Sequence, residues 1–448
     1  MAKLNKIAII LPKGIPYRYL QGRFNLYSLS TVPLTIPSLV SLIPKDLNIQ
    51  VEIYDESIEK INKENIQADL IVISAMTPTI NRAYIYADYF RSRGIAVVIG
   101  GIHATLNPQE VLQHADSVIC GIAVESFPQL LKDFKENKMK KIYIQQKNIE
   151  LSNMPLPDRD CYKNKSKIEI KLNGVQATFG CNNNCEFCVQ PHVCYGYHQR
   201  PIEEVIKEIK TIKSNFIEFY DPNIAKDQEY LKKLCSAMLP LKKKWVAPVT
   251  INLADNEELL KLVAKSGCRG VLIGFESVNQ DNLNKIFKGF NTVEKYQEAV
   301  KKFHKEGITV TGSFVFGFDS DTKEVFKHTL DFINKTHIDM PRFTINTPFP
   351  GTPFYEKMKQ ENRIIEKNWS VYDCNHVVLK PKNMTPEELQ EGFHWISREA
   401  YKLNSILKRT EFLNFFSFLV FLSNIGLKIK CRDLSKYTRD IMTDNSDI

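Results

Sequence analysis

Residues 174–188, GVQATFGCNNNCEFC, join a short apolar run to a loop that holds cysteines in a Cys-x₃-Cys-x₂-Cys pattern. These are Cys181, Cys185 and Cys188, whereas the other seven of the ten cysteines in this 448-residue chain stand apart. In a reducing compartment, clustered cysteines are metal ligands or redox groups more often than disulfides. Three soft thiolates suit a 4Fe-4S cluster and leave one iron open, whereas a structural zinc site would require four ligands.

The cysteine loop belongs to a series of strand-like runs that alternate with helix-like segments from residue 169 to residue 361. Six such β/α units predict a partial TIM barrel, in which functional residues lie at the carboxyl ends of the strands. Asp221 lies at one of those ends and is the best polar candidate for a catalytic role, with loop capping as the alternative. The predicted strands span 168–180, 216–221, 245–252, 270–277, 310–317 and 341–348.

A separate α/β pattern occupies residues 1–140. Five strand-like runs separated by helical patterns predict a doubly wound parallel sheet, because parallel strands need crossover helices and are buried on both faces. Ligands of such sheets lie outside the carboxyl ends of the strands, near the point where the strand order reverses. The predicted strands span 7–12, 51–55, 70–75, 96–101 and 117–121.

The remaining segments are predicted to be a linker, 141–168, and a mainly helical region, 362–448. Thr385 followed by Pro386 is typical of a helix start. The apolar stretch 411–428 is expected to be a helix packed on the barrel, with a lid over an apolar substrate or a contact with a membrane surface as alternatives. The chain is therefore predicted to be α/β, a doubly wound sheet followed by a (β/α)6 partial barrel and a helical region.

The composition is that of an ordinary globular chain. The 60 Lys and Arg residues exceed the 51 Asp and Glu residues, for a net charge of +9. The excess is not concentrated in basic clusters, so a nucleic-acid-binding protein is not expected. No stretch approaches the ~20 apolar residues of a membrane span, and the amino-terminal apolar run is too short for a signal peptide. A cytoplasmic location is expected, and the oligomeric state is left open.

Residues 175–353 resemble a radical SAM domain, and residues 1–135 resemble the cobalamin-binding domain that precedes it in the cobalamin-dependent radical SAM class. The cysteine spacing, with Phe187 before the third cysteine, is specific to that class of domain. The remaining evidence consists of sequence motifs along both domains. These are SAMTPTINRAY (74–84), VVIGGIHATLNPQEVL (97–112), VLIGFES (271–277), SFVFGFDSDT (313–322) and TPFPGTPFY (347–355).

The resemblance implies a 4Fe-4S cluster on the three cysteines and S-adenosylmethionine (SAM) beside it. Glu276 and Asp221 are the candidate catalytic residues. Arg200 is equally compatible with a SAM contact and with a structural salt bridge. The predicted SAM-binding residues are Phe187, Arg200, Gly274, Glu276 and Ser277.

The resemblance also implies cobalamin at the carboxyl edge of the first sheet. Gly100 and Gly101 would let the backbone approach a bulky corrin, although a tight turn that binds nothing is an alternative. The Asp-x-His-x-x-Gly motif of other cobalamin domains is absent, and GIAVES at 121–126 replaces the usual Gly-Glu-Ala-Glu. His103 could approach the corrin or make internal hydrogen bonds. The predicted cobalamin-binding residues are Ser74, Met76, Thr77, Gly100, Gly101, His103 and Gly121.

The expected activity is reductive cleavage of SAM to a 5′-deoxyadenosyl radical, followed by cobalamin-dependent methylation of an unactivated carbon. Its partners would be a small-molecule or natural-product substrate and an electron donor such as flavodoxin or ferredoxin. One alternative is a non-methylating radical enzyme, making a ring, a carbon–carbon bond or a rearrangement, with cobalamin absent or auxiliary. An iron–sulfur electron carrier or sensor is a further alternative, but it would give Glu276 and Ser277 no purpose.

Overall fold

A computed structural model of the chain describes residues 4–14, 33–162, 173–289, 291–412, 414–432 and 434. The start of the predicted strand at 168–180 and the end of the predicted helical region lie outside these residues. The first part is a parallel six-stranded sheet with strand order β2-β1-β3-β4-β5-β6. Its strands are β1 (Lys6–Leu11), β2 (Gln50–Asp55), β3 (Leu70–Ser74), β4 (Ala96–Gly100), β5 (Ser117–Cys120) and β6 (Ile142–Ile144).

The five predicted strands of this sheet are confirmed, and the structure adds a sixth. Strand β6 lies inside the predicted linker and pairs with β5 in parallel, Ile119 opposite Tyr143. Tyr143 is buried against the sheet. Three residues among lysines, asparagines and glutamines are too few to show a period, so the linker prediction placed the end of the sheet too early.

Helices cover both faces of this sheet, as a doubly wound fold requires. Helix α2 buries an apolar stripe against it, with Ala83, Ala87 and Phe90 fully buried. The helices are α1 (Thr35–Ser41), α2 (Ile80–Ser92), α3 (Ile102–Leu106), α4 (Pro108–Val111) and α5 (Ser126–Lys135).

The second part is a parallel six-stranded sheet whose strands follow one another in sequence order, β7-β10-β11-β12-β13-β14. Consecutive parallel order with intervening helices is the arrangement of a partial barrel, as predicted. The predicted first strand is divided in two, because β7 joins the barrel whereas β8 pairs antiparallel with β9. The strands are β7 (Gly174–Val175), β8 (Thr178–Gly180), β9 (Tyr197–Gln199), β10 (Phe216–Phe219), β11 (Lys244–Val249), β12 (Cys268–Glu276), β13 (Thr309–Phe316) and β14 (Met340–Ile345).

Helices connect the barrel strands and pack on their outer side around an apolar core. Stacked Phe275 and Phe314, whose ring centroids lie 5.6 Å apart, join β12 to β13 inside that core. The helices are α6 (Gln190–Val193), α7 (Ile202–Thr211), α8 (Gln228–Met238), α9 (Glu257–Lys265), α10 (Gln280–Lys285), α11 (Tyr296–Lys305), α12 (Val325–Thr336) and α13 (Pro353–Gln360).

The chain ends in helices α14 (Pro386–Glu399), α15 (Leu403–Arg409) and α16 (Phe415–Arg432). The predicted helix start is confirmed: the Thr385 hydroxyl accepts a hydrogen bond from the Glu388 amide at 3.2 Å, and the Glu388 carboxylate accepts one from the Thr385 amide at 2.9 Å. No helix among the described residues combines the length and apolar character needed to cross a bilayer.

The carboxyl edge of the first sheet meets the carboxyl side of the barrel. Ile102 and Leu106 of α3 pack in one cluster with Phe179 of β8 and Val193 of α6. A Cβ on Gly351, in the loop after β14, would lie 3.1 Å from the Leu106 carbonyl. The two edges at which parallel α/β folds bind ligands therefore face each other.

Candidate functional site

The three clustered cysteines lie in the loop that follows β8. Cys181 comes directly after the strand, and its sulfur accepts a hydrogen bond from the Asn183 amide at 3.5 Å. The Cys188 amide donates to the Cys185 carbonyl at 3.0 Å, which folds the chain back between the second and third cysteines. The loop thus places three thiols on one short turn at the carboxyl side of the barrel.

Asp221, at the end of β10, anchors the strand that carries this loop. Its carboxylate accepts hydrogen bonds from the Thr178 amide at 2.5 Å, the Thr178 hydroxyl at 2.7 Å and the Ala177 amide at 3.2 Å. The side chain is buried, and this burial raises its pKa to about 6. The geometry therefore supports the loop-capping alternative, and Asp221 positions the cysteine loop.

The electrostatic surroundings of the thiols are those of metal ligands in a partly buried site. Burial raises the pKa of Cys188 to about 12 and also raises that of Cys185. Lys288 acts in the opposite direction on both thiols, whereas the neighbouring thiols raise both pKa values further. A positive charge beside clustered thiols favours the thiolate form that binds iron.

The donor set fits a 4Fe-4S cluster better than a single ion. Three soft sulfur ligands without a fourth leave one iron of the cube open. Within the described part of the chain, no three His, Cys, Asp or Glu side chains converge on one metal ion. Sulfurs that bind different irons of a cube need not converge on one point, whereas the ligands of a zinc ion must.

Glu276 and Lys288 form a buried ion pair next to the cysteine loop. Glu276 ends β12 with a left-handed backbone, φ +63°, which is uncommon for a residue other than glycine. A Cβ on Gly274 would lie 2.2 Å from the Glu276 carboxylate and 2.7 Å from the Lys288 ammonium group, so a larger residue there would force the pair to shift. Lys288 was not predicted from the sequence, because no motif marks a lysine that follows α10.

Ser277 belongs to a buried polar network at the ends of β12 and β13. Its hydroxyl accepts hydrogen bonds from the Asn279 amide at 3.0 Å and the Asn282 side chain at 3.3 Å. Asn282 also donates to Asp321 at 2.8 Å, and burial raises the pKa of Asp321 to about 6. The network fixes the loop that follows Glu276.

The other two predicted SAM-binding residues lie in different surroundings. Phe187 is half-buried, with its ring centroid 6.3 Å from that of Phe318. Arg200 is buried and pairs with Glu208 of α7 at 2.6 Å, while its guanidinium also donates to the Gln176 carbonyl at 2.8 Å. Arg200 therefore forms the structural salt bridge that the sequence left open.

The predicted cobalamin residues line the carboxyl edge of the first sheet. Gly101 has φ +100°, and a Cβ there would lie 2.6 Å from the Ala75 carbonyl, so the turn itself requires glycine. Gly100 ends β4, and Gly121 lies beside Gln145, which accepts a hydrogen bond from Ile122. Gly101 and Gly121 thus have a structural reason of their own, whereas a Cβ at Gly100 would make an ordinary contact with Ile119 at 3.5 Å.

Other residues at this edge present groups that a ligand could contact. Met76 follows β3 and is 44% exposed, one of the large apolar side chains left open to solvent. Ser74, at the end of β3, is half-buried beside it. A half-buried hydroxyl and an exposed thioether at the edge that faces the cysteine loop fit a large, partly apolar cofactor.

His103 is directed into the protein and not toward this edge. Its ring is fully buried, with Nδ1 3.2 Å from the Thr77 hydroxyl and Nε2 3.5 Å from the Glu110 carboxylate. The ring of Trp369, from the helical region, packs edge-on at 5.2 Å between centroids. This geometry supports internal hydrogen bonding for His103, the alternative to a corrin contact.

Comparison with known proteins identifies two domains in the chain. Residues 175–333 match the radical SAM superfamily, and residues 42–131 match the B12 binding domain. The bacteriochlorophyllide d C-12(1)-methyltransferase of Chlorobaculum tepidum is 34% identical over 368 residues, 80% of each chain. The bacteriochlorophyllide d C-8(2)-methyltransferase of the same organism is 29% identical over 416 residues, 88% of this chain and 91% of the relative.

A solved structure shares the fold along nearly the whole chain. The radical S-adenosylmethionine methyltransferase TsrM from Kitasatospora setae, with cobalamin and a [4Fe-4S] cluster bound, superposes with a TM-score of 0.71. The match covers 97% of this chain and 100% of TsrM at 14% identity. The combination of sheet, barrel and helical region is therefore an established architecture.

Proposed function

Because this chain belongs to the cobalamin-dependent radical SAM enzymes, we propose that it methylates a carbon atom of an apolar substrate held between the first sheet and the barrel. The observation that carries the proposal is the meeting of two ligand-binding edges. Phe179, two residues before the first cysteine, packs with Ile102, two residues after Gly100 at the sheet edge. A donor at one edge and a radical generated at the other would thus act on one bound molecule.

Different residues of the chain would have different roles in this reaction. Cys181, Cys185 and Cys188 would hold a cluster that supplies one electron to SAM, and cobalamin at the sheet edge would supply the methyl group. Asp221 keeps the cysteine loop in place through Thr178. The three cysteines are only partly exposed, which limits the access of water to the reaction.

The pair of Glu276 and Lys288 is placed to orient SAM. Its charges lie close enough to Cys185 to shift the pKa of that thiol. A carboxylate and an ammonium group match the amino and carboxylate groups of a methionine moiety. The pair would therefore hold the methionine end of SAM against the cluster.

The substrate is proposed to be apolar because half-buried apolar side chains gather where the two edges meet. Ile102, Leu106, Ile122 and Val189 belong to this junction and are only partly covered by protein. A bound apolar molecule would cover them further. The two methyltransferases from Chlorobaculum tepidum act, by their names, on bacteriochlorophyllides, so a chlorin-type ring is the first substrate to try.

The test is an anaerobic assay of the reconstituted full-length protein with SAM, cobalamin, a reduced flavodoxin or ferredoxin and chlorin substrates. Methyl transfer predicts 5′-deoxyadenosine, S-adenosylhomocysteine and a methylated product together. 5′-Deoxyadenosine without S-adenosylhomocysteine, with cobalamin lost on desalting, would support the non-methylating alternative. An EPR spectrum of the reduced cluster that does not change on addition of SAM would support an electron carrier.

A matched pair of cysteine variants separates the cluster from the other thiols. Cys185→Ala is expected to abolish 5′-deoxyadenosine formation and to lower the iron content. Cys161→Ala is expected to leave both unchanged, since Cys161 packs against the core of the first sheet and not in the cysteine loop. Equal activity of the two variants would contradict the proposed cluster site.

A further inference from the structure

Helix α16 lies across the amino ends of the barrel strands. The Asn414 side chain, just before the helix, donates to the Gly307 carbonyl before β13 at 2.9 Å, and the Asn424 side chain donates to the Asp339 carbonyl before β14 at 3.0 Å. The Phe416 ring stacks on that of Phe216, the first residue of β10, at 5.8 Å. The cysteine loop lies at the opposite ends of these strands, so α16 is not a lid over the substrate.

Helix α16 buries polar side chains and exposes apolar ones, the reverse of an ordinary surface helix. Ser417 and Asn424 are fully buried against the barrel, where both side chains are hydrogen-bonded. On the outer side, Phe415 is 75%, Phe418 43% and Leu419 41% exposed. Positions i, i+3 and i+4 share one face of a helix, so these apolar residues form a continuous outward stripe.

The exposed surface continues beyond the helix. Phe412, before α16, is 60% exposed, and Leu403 and Leu407 of α15 are 44% and 53% exposed. Of the twelve large apolar side chains exposed among the described residues, seven fall between residues 403 and 429. Such a concentration marks a surface that another apolar phase covers. We call Leu403, Leu407, Phe412, Phe415, Phe418 and Leu419 the α16 patch.

The charge around the α16 patch is positive. Residues 402–432 contain six Lys or Arg residues and one acidic residue, Glu411. Arg409 is fully buried and Lys402 pairs with Glu399 at 2.6 Å, whereas Lys428 is half-buried on α16. Glu411 lies 3.3 Å from His304 and 3.2 Å from His337. Lys408 is exposed beside Leu407. An apolar face with basic residues around it is typical of helices that lie in the interface of an anionic membrane.

A second copy of the chain is a poorer partner for the α16 patch. A two-fold interface would bring the same basic residues together, and their repulsion would oppose association. A docked reductant is also a poor fit, because the barrel strands, at about 3.3 Å per residue, hold this surface roughly 20 Å from the cysteine loop. We propose that the α16 patch binds the surface of an anionic phospholipid bilayer, with the cysteine loop on the far side of the barrel.

The experiment is vesicle flotation of the full-length protein, purified anaerobically with its cluster. Vesicles of phosphatidylcholine are compared with vesicles that also contain phosphatidylglycerol, at low and high salt. We expect binding to the anionic vesicles that weakens as salt rises. The triple variant Phe415→Ser, Phe418→Ser, Leu419→Ser is expected to bind about tenfold less, because membrane binding scales with the apolar area inserted.

Two control variants keep the test specific. Leu239→Ser replaces a similarly exposed apolar residue at the end of α8 and should leave binding unchanged. Lys408→Glu should weaken binding at low salt and have less effect at high salt. Circular dichroism of the triple variant should match that of the wild type, since the replaced side chains are exposed.

Three outcomes would overturn the proposal. The first is wild-type protein that floats with neither kind of vesicle, and the second is a triple variant that binds as the wild type does. The third is a wild-type dimer, seen by light scattering, that the triple variant converts to monomers, which would assign the patch to a second copy. None of these outcomes depends on SAM cleavage, so the proposed function is tested separately.

Discussion

Replacing Asp221 with Asn tests how the cysteine loop is held. The Asp221 side chain is buried, and its carboxylate accepts two hydrogen bonds from Thr178 and one from Ala177. Burial raises its pKa from 3.8 to about 6. A folded-state pKa above the unfolded value means that the group stabilises the fold fully below pH 3.8 and loses that contribution as the pH rises through 6.

The size of the effect on the free energy of unfolding follows from the shift in the pKa of Asp221. A rise of roughly two pKa units corresponds to about 3 kcal/mol of unfolding free energy. Asn cannot ionise, so the Asp221→Asn variant should gain about 3 kcal/mol relative to the wild type between about pH 4 and pH 7. At the acid end the variant should be less stable by about 1–3 kcal/mol, because its amide places an N–H against the Ala177 amide.

Urea unfolding of the cluster-free protein at several pH values measures this difference, and iron content after reconstitution measures the effect on the loop. Asp227→Asn is the control, because Asp227 caps α8 at the surface and Asn is an equally good cap. Hydrogen bonds from the Tyr230 and Glu229 amides lower the pKa of Asp227, so the pH trend of this control should be small and of opposite sign. A stability difference between the wild type and the Asp221→Asn variant that stays constant with pH would refute the reasoning.

Three further predictions concern the cofactor sites. Cys185→Ala should lower iron after reconstitution, measured by a colorimetric assay, and equal iron to the wild type would contradict it. Lys288→Met should cost about 3–5 kcal/mol of unfolding free energy because it leaves the buried Glu276 carboxylate unpaired. Adding Glu276→Gln to this variant should restore stability but not SAM cleavage. Recovery of both stability and SAM cleavage would mean that the pair is purely structural. Gly101→Ala should abolish cobalamin retention on a desalting column, whereas Gly94→Ala, with a similar positive φ but no atom within 4 Å, should retain it.

The architecture could be predicted because the two parallel sheets leave strong periodic signals. Long strands such as β12 and β13 are buried on both faces, and each contains an apolar run, VLIGF in β12 and FVF in β13, that marks it in the sequence. Short strands carry no such signal. For this reason the predicted linker, 141–168, includes β6, and the predicted strand 168–180 covers both β7 and β8. The side on which α16 packs could not be predicted either, because its buried face contains Ser417 and Asn424.

The candidate site was predictable only where a motif fixes the chemistry. The cysteine spacing is such a motif, and Glu276 follows a recognisable strand. Lys288 was missed because its role depends on distance to Glu276 in space and not on spacing in sequence. Asp221 is a catalytic candidate by sequence because it lies at a strand end, whereas its bonds to Thr178 exist only in three dimensions.

The contacts between the sheet and the barrel explain how two separately bound cofactors could act on one molecule. The Gln145 amide group accepts a hydrogen bond from Ile122 at 2.6 Å and donates to the Cys194 carbonyl at 3.0 Å, so one side chain joins the end of β5 to the helix after the cysteine loop. The helical region that follows the barrel also contacts the sheet, because the Trp369 indole donates to Glu110 at 2.8 Å. Methyl transfer to a carbon radical requires the donor within about 3–3.5 Å of the acceptor. A junction that could slide would lose that distance, so polar contacts across it are what this chemistry demands.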